Sequence, residues 1–273
     1  MAIITLSRQV GARGDEVALE IEKKLGYTFI TRKDVEKRIV ELGFPESKMP
    51  KYDERKPGFF ASMAKDRDLY INLTHYAMLE AATKNNTIFI GRGSFALFHQ
   101  YANNISARIV ADEKTRIDRL MQEKDWSEKK ALQRITESDA NRLGFHKNFY
   151  NVDVSNPENY HLVVNTGVLS DLQCADLISS VVKSKITETE EKEGMKNIEI
   201  MFKIQGVVNK IFTEEQVNIE FMHANIEDGT IVLYGVCESI ALVEKALNVF
   251  RRELPDYPVK SSVSLIHNYK SFQ

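Results

Sequence analysis

The pattern of apolar and polar positions in the first 25 residues predicts a strand, a turn and a helix. Residues 2–6 are an apolar run of strand-forming residues, and residues 7–14 interrupt it with small and basic side chains. Apolar residues then recur at helical spacing, at Val17, Ala18, Ile21 and Leu25, before Gly26. This layout is typical of a phosphate-binding loop, in which backbone N–H groups and the positive end of a helix face an anion.

The same alternation of strands and helices continues to residue 183. Further strands are predicted at residues 27–30, 87–90, 106–110 and 161–165, and helices after Thr31 and at about residues 59–84, 113–123, 127–142 and 171–183. Thr31 and Ser127 are the predicted N-caps. Residues 44–58 are predicted to be an exposed crossing segment and residues 143–159 a polar loop.

Strands that alternate with helices predict an α/β domain with a five-stranded parallel sheet covered by helices on both faces. The first strand should be central, flanked by the third and the fourth. Ligands of such sheets bind outside the carboxyl ends of the strands. Three loops, at residues 7–14, 91–93 and 165–167, emerge at that edge.

The pattern changes after residue 183. Residues 184–196 are rich in Lys, Glu and Thr, which indicates a linker or an exposed extension of a helix. Residues 197–273 then predict a helix, two strands at 217–224 and 230–237, a helix and a strand at about 259–266. We therefore expect two domains, residues 1–183 and a small α+β domain of αββαβ order at residues 197–273.

Charge and composition narrow the function classes. The chain has 273 residues and a net charge of −2, with 28 basic and 25 acidic residues in the first 185. This balance is too mild for a nucleic-acid-binding domain. The two cysteines match no metal or redox spacing, and neither a signal peptide nor a transmembrane run is visible. We expect a cytoplasmic protein.

The chemistry of the phosphate-binding loop is incomplete. A full P-loop motif ends Gly-Lys-Ser/Thr, where Lys reaches the outer phosphates and the hydroxyl holds Mg²⁺. Gly14 and Glu16 stand at the corresponding positions, so both groups are missing. Arg8 and Arg13 are the nearest cations that can replace the lysine. The alternative is that they are solvated arginines around a structural turn.

Five short motifs, taken together and in order, resemble the cytidylate kinase-like family of P-loop proteins. They are Ser7-Arg8-Gln9-x-Gly11-Ala12-x-Gly14, Arg32-Lys33-Asp34, Tyr52-Asp53-Glu54, Gly91-Arg92-Gly93 and Tyr160-x-Leu162-Val163-Val164-Asn165-Thr166. The resemblance covers residues 1–183. It implies transfer of a phosphoryl group from ATP to a nucleoside monophosphate such as CMP or dCMP, with Mg²⁺. The predicted partners are therefore nucleotide substrates and no nucleic acid.

The resemblance also implies roles for individual residues. The residues expected to bind nucleotide and phosphate are Ser7, Arg8, Gly11, Ala12, Arg13, Gly14, Asp15 and Glu16, and those expected to bind the acceptor are Arg32, Arg92 and Asp53. The mobile lid is expected to contain Arg134, Arg142 and Lys147. The residues expected to act in catalysis are Arg13, Arg142 and Asp139. Two positions depart from the family pattern, because Thr31 replaces an Asp and Ser138 replaces the first lid arginine. The side chains of Arg13 and Arg92 are expected to be exposed.

Metal ligands are not identified by these motifs. Ile90 occupies a position where an Asp would bind metal, which leaves Asp15, Glu16 and Asp139 as candidates. His146, Phe149 and Tyr150 can stack on a base or pack in the core.

Three function classes remain open at this point. The first is a nucleoside monophosphate kinase with a degenerate P-loop, and the second is a non-catalytic nucleotide sensor whose state the C-terminal domain reads. The third is an adaptor with a vestigial cleft. Residues 197–267, and residues 225–236 above all, resemble a BON domain. That resemblance implies binding of a ligand or surface whose identity is unknown.

Overall fold

Five parallel strands form the central sheet of the computed structural model, which describes residues 2–52, 64–84 and 86–266. The strand order is β2-β3-β1-β4-β5. The strands are β1 (Ile3–Arg8), β2 (Thr28–Ile30), β3 (Thr87–Ile90), β4 (Asn104–Val110) and β5 (Leu162–Asn165). The prediction of a central first strand between the third and the fourth is therefore confirmed.

Helices cover both faces of this sheet. They are α1 (Gly14–Leu25), α2 (Arg32–Glu41), α3 (Ala64–Ala82), α4 (Ser94–Leu97), α5 (Glu113–Lys124), α6 (Glu128–Tyr150) and α7 (Asp171–Lys185). On one face, α1 and α7 share an apolar core with Ile4 and Leu6 of β1. On the other face, α2 and α3 pack in a core that contains Ile3 and Phe89. The alternating side chains of β1 thus serve both layers.

Local capping explains where several helices begin and end. Thr31 and Asp34 form a capping box at α2, and the Ser127 hydroxyl accepts from the Lys130 N–H at α6. Gly26 ends α1 with a left-handed backbone, φ 67°. These contacts confirm the caps and the stop predicted from the sequence.

Two predicted loop segments were wrong in part. Helix α6 continues to Tyr150, because Phe145 and His146 are buried and hold its last turns against the core. Residues 46–52 form a 3₁₀ helix; Phe44, just before it, and Tyr52, its last residue, are buried beside Tyr70. Only part of residues 44–58 is therefore exposed as expected, and residues 53–58 lie outside the described residues.

The C-terminal unit has the predicted order of elements. It consists of α8 (Glu188–Thr213), β6 (Glu220–Glu227), β7 (Thr230–Cys237), α9 (Ile240–Glu253) and β8 (Val259–Leu265). Strands β6 and β7 are antiparallel, and β8 pairs in parallel with β7. Positive φ angles at Asp228 and Gly229 form the two-residue turn of the predicted hairpin. The resemblance to a BON domain stays a prediction.

The two parts of the chain share an apolar core. Residues 184–196 form the end of α7, a short break and the start of α8, which Thr187 caps. Helix α8 packs against α3, and Ile198 and Ile204 belong to the same buried cluster as Leu73 and Leu79. The predicted domain boundaries stay a prediction. None of the described helices is long and apolar enough to cross a membrane.

Candidate functional site at the mouth of the phosphate loop

The loop between β1 and α1 has the backbone geometry of an anion-binding turn. Gly11 and Arg13 both have left-handed backbones, with φ angles of 75° and 58°, and α1 begins at Gly14. A Cβ atom at Gly14 would lie 2.6 Å from the Cβ of Arg8, so only glycine fits there. The first N–H groups of α1 have no partner within the helix and give its start a positive potential.

The carbonyl groups of this loop are held from behind. Arg116 Nε donates to the Val10 carbonyl at 2.9 Å, and Arg119 Nη1 donates to the Gly11 carbonyl at 3.1 Å. Thr166 Oγ1 donates to the Ala12 carbonyl at 2.9 Å. These three bonds fix the loop before any ligand arrives, which lowers the ordering cost of binding. Sequence analysis missed the roles of Arg116 and Arg119.

A pocket of about 270 Å³ opens beside the loop. Three arginines from three elements line it: Arg8 at the end of β1, Arg108 in β4 and Arg142 in α6. We call it the three-arginine pocket. Its lining also includes Gln9, Asp139 and Ser155. The structure thus brings together three residues that the sequence assigned to the site, Arg8, Asp139 and Arg142, with one that it did not.

Arg108 is the member that sequence analysis missed. It is 9% exposed, and its guanidinium donates to Ser7 Oγ at 3.2 Å and lies 5.8 Å from the centre of the Tyr160 ring. Among the described residues Arg108 forms no ion pair with a carboxylate. The available signal was its position: a charged residue in the middle of a predicted buried strand requires a partner.

Tyr160 is a neighbour of Arg108 and does not itself line the pocket. Burial raises the pKa of its phenol, which therefore stays neutral, and its hydroxyl donates to the Val154 carbonyl at 2.9 Å. The Arg108 guanidinium therefore lies over the face of the Tyr160 ring. Tyr160 and Ser7 are neutral, so among the described residues no carboxylate in direct contact balances the charge of Arg108, and the Asp153 carboxylate acts on it only through space.

Two arginine–carboxylate ion pairs near the loop are already formed within the protein. Asp139 accepts from Arg116 Nη2 at 2.8 Å, which ties α6 to α5 and to the loop. Arg13 turns away toward α7, where its guanidinium lies 2.6 Å from the Asp171 carboxylate. Its side chain is 41% exposed, as expected. The assignment of Arg13 as the replacement for lysine stays a prediction, and this ion pair argues against it.

The predicted exposure of Arg92 was wrong. Its side chain is 1% exposed, donates to the Tyr52 carbonyl at 2.6 Å and forms an ion pair with Glu36. The physical reason is its pair of partners, because Glu36 on α2 and the Tyr52 carbonyl at the end of the 3₁₀ helix hold the guanidinium between them. Arg32 Nε lies 3.1 Å from the same Glu36. Asp53, the third predicted acceptor residue, lies outside the described residues.

Comparison with known proteins decides the family. The model of the cytidylate kinase-like family matches residues 3–168. The chain belongs to this family. The crystal structure of an uncharacterized protein from Eubacterium ventriosum is 19% identical, with a TM-score of 0.53, and the match covers 67% of this chain and 99% of that one. That similarity supports the fold alone.

Weaker similarities extend to named kinases. A shikimate kinase from Acinetobacter baumannii is 15% identical with a TM-score of 0.40, and the match covers 67% of this chain and 94% of that one. A gluconokinase from Sinorhizobium meliloti is 14% identical with a TM-score of 0.41 and the same coverage. No curated protein sequence matches this chain.

The residues predicted to form the lid of this cytidylate kinase-like chain all lie on α6. Arg142 is 6% exposed and donates to Ser138 Oγ at 2.7 Å, so the residue that replaced the lid arginine now orients the next one. Arg134 is half-buried and Lys147 is exposed, and neither lines the three-arginine pocket. His146 is buried against Phe95 and Phe145, which is the core-packing alternative.

A dedicated metal cage is absent from the part of the chain that the structure describes. No group of three or more His, Cys, Asp or Glu side chains converges there. Asp15 is exposed and lies 4.0 Å from Arg8, Glu16 is half-buried on the first turn of α1, and Asp139 is paired with Arg116. Ile90 is buried at the end of β3.

Proposed function

We propose that this chain is a kinase that transfers the γ-phosphoryl group of ATP to a nucleoside monophosphate of the cytidylate type. The observation that carries the proposal is Arg108. A buried guanidinium without a carboxylate partner is costly unless an anion completes it. Arg108 opens onto a pocket that it shares with Arg8 and Arg142, beside a rigid phosphate loop.

The proposed reaction requires little covalent chemistry from the side chains of the protein. The bond between the γ-phosphorus and the bridging oxygen of ATP breaks, and a bond forms to a phosphate oxygen of the acceptor. ADP leaves with the electrons of the broken bond, and the acceptor becomes a diphosphate. Such a transfer is accelerated by positioning and by cations around the moving group. Arg8, Arg108 and Arg142 supply positive charge in place of the missing lysine.

Arginine is suited to this replacement in one respect and differs in another. Its planar fork binds two phosphate oxygens at once, whereas lysine is a compact point charge on a flexible stem. Arg108 is anchored by Ser7 and Tyr160, and Arg142 by Ser138, so both forks are already oriented. We therefore expect tight phosphate binding with little reorganisation.

Mg²⁺ fits this site as an ion that arrives with ATP. It prefers water, phosphate oxygens and one or two carboxylates to an all-protein cage. Asp15 and Glu16, on the first turn of α1, are the side chains that would hold it, since Asp139 is paired with Arg116. When bound, the ion neutralises charge on the β- and γ-phosphate oxygens.

A second candidate is a non-catalytic nucleotide sensor. The missing Lys and Ser/Thr of the P-loop favour it, as does the core that α3 and α8 share, because nucleotide-dependent movement of α3 would reach the C-terminal unit directly. In this candidate the three-arginine pocket still binds phosphate but no transfer follows.

Turnover with a panel of acceptors tests the proposal. The purified chain is incubated with ATP, Mg²⁺ and CMP, dCMP, UMP, AMP or GMP in turn, and ADP release is followed. We expect ADP formation that depends on the acceptor and is fastest with CMP or dCMP. Nucleotide binding without turnover would select the sensor, and the absence of binding would select an adaptor with a vestigial cleft.

A further inference from the structure

One member of the three-arginine pocket lies on a helix, whereas the other two lie on the sheet. Arg8 ends β1 and Arg108 lies in the neighbouring strand β4, so the pairing of these strands fixes their relative positions. Arg142 lies on α6, outside the sheet. Its distance from the phosphate loop therefore depends on the contacts that connect α6 to that loop.

A direct connection lies three residues before Arg142, in the ion pair of Asp139 with Arg116. Arg116 lies on α5 and uses two different nitrogens. Its Nε donates to the Val10 carbonyl of the phosphate loop at 2.9 Å, and its Nη2 donates to the Asp139 carboxylate at 2.8 Å. The Arg116 side chain is only 4% exposed. One planar guanidinium thus holds the loop backbone and α6 at a fixed separation.

Close packing reinforces this connection. The Val10 side chain packs against an apolar cluster of α5 and α6 that includes Leu120 and Ile135. A Cβ atom added at Gly11 would lie 3.0 Å from the Arg116 backbone oxygen, so the loop passes directly over α5. The phosphate loop, α5 and α6 therefore form one packed unit, in which Arg116 contacts the other two elements.

Helix α6 is also held near its C-terminal end, independently of this ion pair. The His146 ring is buried, and its centre lies 5.3 Å from the centre of the Phe95 ring. Loss of the pair between Arg116 and Asp139 should therefore leave α6 attached and helical, but able to shift near Asp139. Arg142 lies between the two attachments, so its guanidinium would move relative to the phosphate loop.

We propose that Arg116 and Asp139 are positioning residues, which hold the Arg142 guanidinium at the distance from the phosphate loop that binding of a phosphate chain requires. Phosphate binding in the three-arginine pocket is the part of the proposed function on which this inference rests, and the kinase and the sensor share it. Asp139 acts through Arg116. It then has neither of the roles, catalysis and metal binding, that the sequence suggested for it.

The charge of Asp139 alone would have the opposite effect. Asp139 lines the three-arginine pocket, so a neutral side chain at this position would make the pocket more positive and strengthen the binding of an anion. Loss of positioning weakens that binding instead, because Arg142 is no longer oriented before the ligand arrives. The direction of the change in affinity for Asp139→Asn therefore separates the two effects.

Calorimetric titration with β,γ-imido-ATP, a non-hydrolysable analogue of ATP, tests this inference without turnover. The proteins are the wild type, Asp139→Asn, Arg142→Gln and the double variant, each titrated with and without Mg²⁺. Arg116→Lys, alone and combined with Arg142→Gln, is a second route, because one ammonium group does not reproduce the two contacts of a planar guanidinium. Asp118→Asn is the matched control, since Asp118 is exposed on α5 and does not line the pocket.

We expect Asp139→Asn to weaken binding about tenfold, to the same extent with and without Mg²⁺, and Asp118→Asn to bind like the wild type. Arg142→Gln should weaken binding at least about tenfold in the wild-type background. In the Asp139→Asn or Arg116→Lys background it should weaken binding less than about threefold, because Arg142 is already misplaced there. A merely structural pair would lower stability and leave the losses of affinity additive.

Three results with folded variants would overturn the inference: additive losses, stronger binding by Asp139→Asn, or a loss that occurs only with Mg²⁺. Circular dichroism and thermal unfolding report folding. One folded variant, Asp139→Asn or Arg116→Lys, is sufficient, and if neither folds, the pair is structural and the inference is wrong. If the wild type does not bind the analogue, phosphate binding and this inference both fail. If it binds but transfers no phosphoryl group to any acceptor in the panel, only the kinase activity fails.

Discussion

Two buried arginines, Arg92 just after β3 and Arg108 within β4, lie on opposite sides of β1 and have opposite surroundings. Arg92 is 1% exposed, and the chain itself balances its charge through Glu36, with a further hydrogen bond to the Tyr52 carbonyl. Arg108 is 9% exposed, and its contacts with the described residues are a hydroxyl and an aromatic face. Arg92 ties α2 and the 3₁₀ helix to β3, whereas Arg108 opens onto the three-arginine pocket.

This comparison separates two uses of the same side chain. A guanidinium whose charge is balanced by a carboxylate contributes to the native state, and its loss is a loss of stability. A guanidinium without such a partner is available to a bound anion, and its loss is a loss of affinity. The sequence motif around Arg92 suggested a binding residue, but its partners in the structure are those of a structural one.

The largest effect is expected for Arg92→Ala. It removes a fully buried side chain and an ion pair, so we expect a loss of about 3 kcal/mol in the free energy of unfolding, measured by urea denaturation. Arg251→Ala, an exposed arginine on α9, is the control and should change stability by less than about 0.5 kcal/mol. Weakened CMP binding in an otherwise stable Arg92→Ala protein would restore the acceptor-binding role and break the comparison.

Arg108→Gln should give the converse result. The neutral amide keeps much of the side-chain volume but removes the charge at the pocket, so we expect kcat/KM to fall about 100-fold, as for loss of one electrostatic contact in a transition state. Steady-state kinetics with ATP and CMP provide the measurement, and Arg251→Gln is the control. Equal activity of the two variants would show that Arg108 is not part of the site.

The sheet could be predicted from sequence because its signals are local. The strand of residues 87–90 and the caps at Thr31 and Ser127 each depend on a few neighbouring residues, and all three were confirmed. The end of α6 could not be predicted in the same way. His146 and Phe149 hold its last turns through contacts with Phe95 and Tyr70, which are distant in sequence, and these contacts override the weak helix preference of a polar stretch.

The site was predicted less completely than the fold, for a related reason. Motifs identify residues near the phosphate loop, such as Arg8 and Arg142, but the partner of each charge comes from tertiary packing. Arg108 belongs to no loop motif, and its role follows from the pairing of β4 with β1, which places it opposite Ser7. Arg116 and Arg119 reach the loop from α5, about 100 residues along the chain.

A smaller effect, dependent on pH, is expected at His75. Its pKa is about 4 in the folded chain, below the ordinary value, so the unfolded chain takes up a proton first as the pH falls. The free energy of unfolding should therefore fall between about pH 6.5 and pH 4, by on the order of 2 kcal/mol from this group. His75→Phe should remove that part of the pH dependence.

The difference between the wild-type and His75→Phe unfolding curves, recorded across this pH range, isolates His75 from other titrating groups. The pocket of about 570 Å³ that His75 lines also contains the titratable or charged residues Arg67, Asp68, His99 and His223. These four residues are present in both proteins. If the two curves run parallel, the buried His75 is not responsible for the pH dependence.

The smallest effect is expected for Arg13→Ala, although Arg13 lies in the phosphate loop itself. Its guanidinium is 2.6 Å from Asp171, and the pair is partly exposed, with side-chain exposures of 41% and 19%. A partly exposed ion pair contributes about 1 kcal/mol or less, so the free energy of unfolding should change by no more than that. Because Asp171 already holds the charge, kcat should fall by less than about threefold.

Asp171→Asn is the informative companion variant, since it releases Arg13 without removing it. If Arg13 replaces the missing lysine, Arg13→Ala should instead lower kcat at least tenfold while KM changes little, and Asp171→Asn should raise kcat. Kinetics on the two variants, beside Arg108→Gln, therefore decide which arginine carries the charge of the phosphate loop.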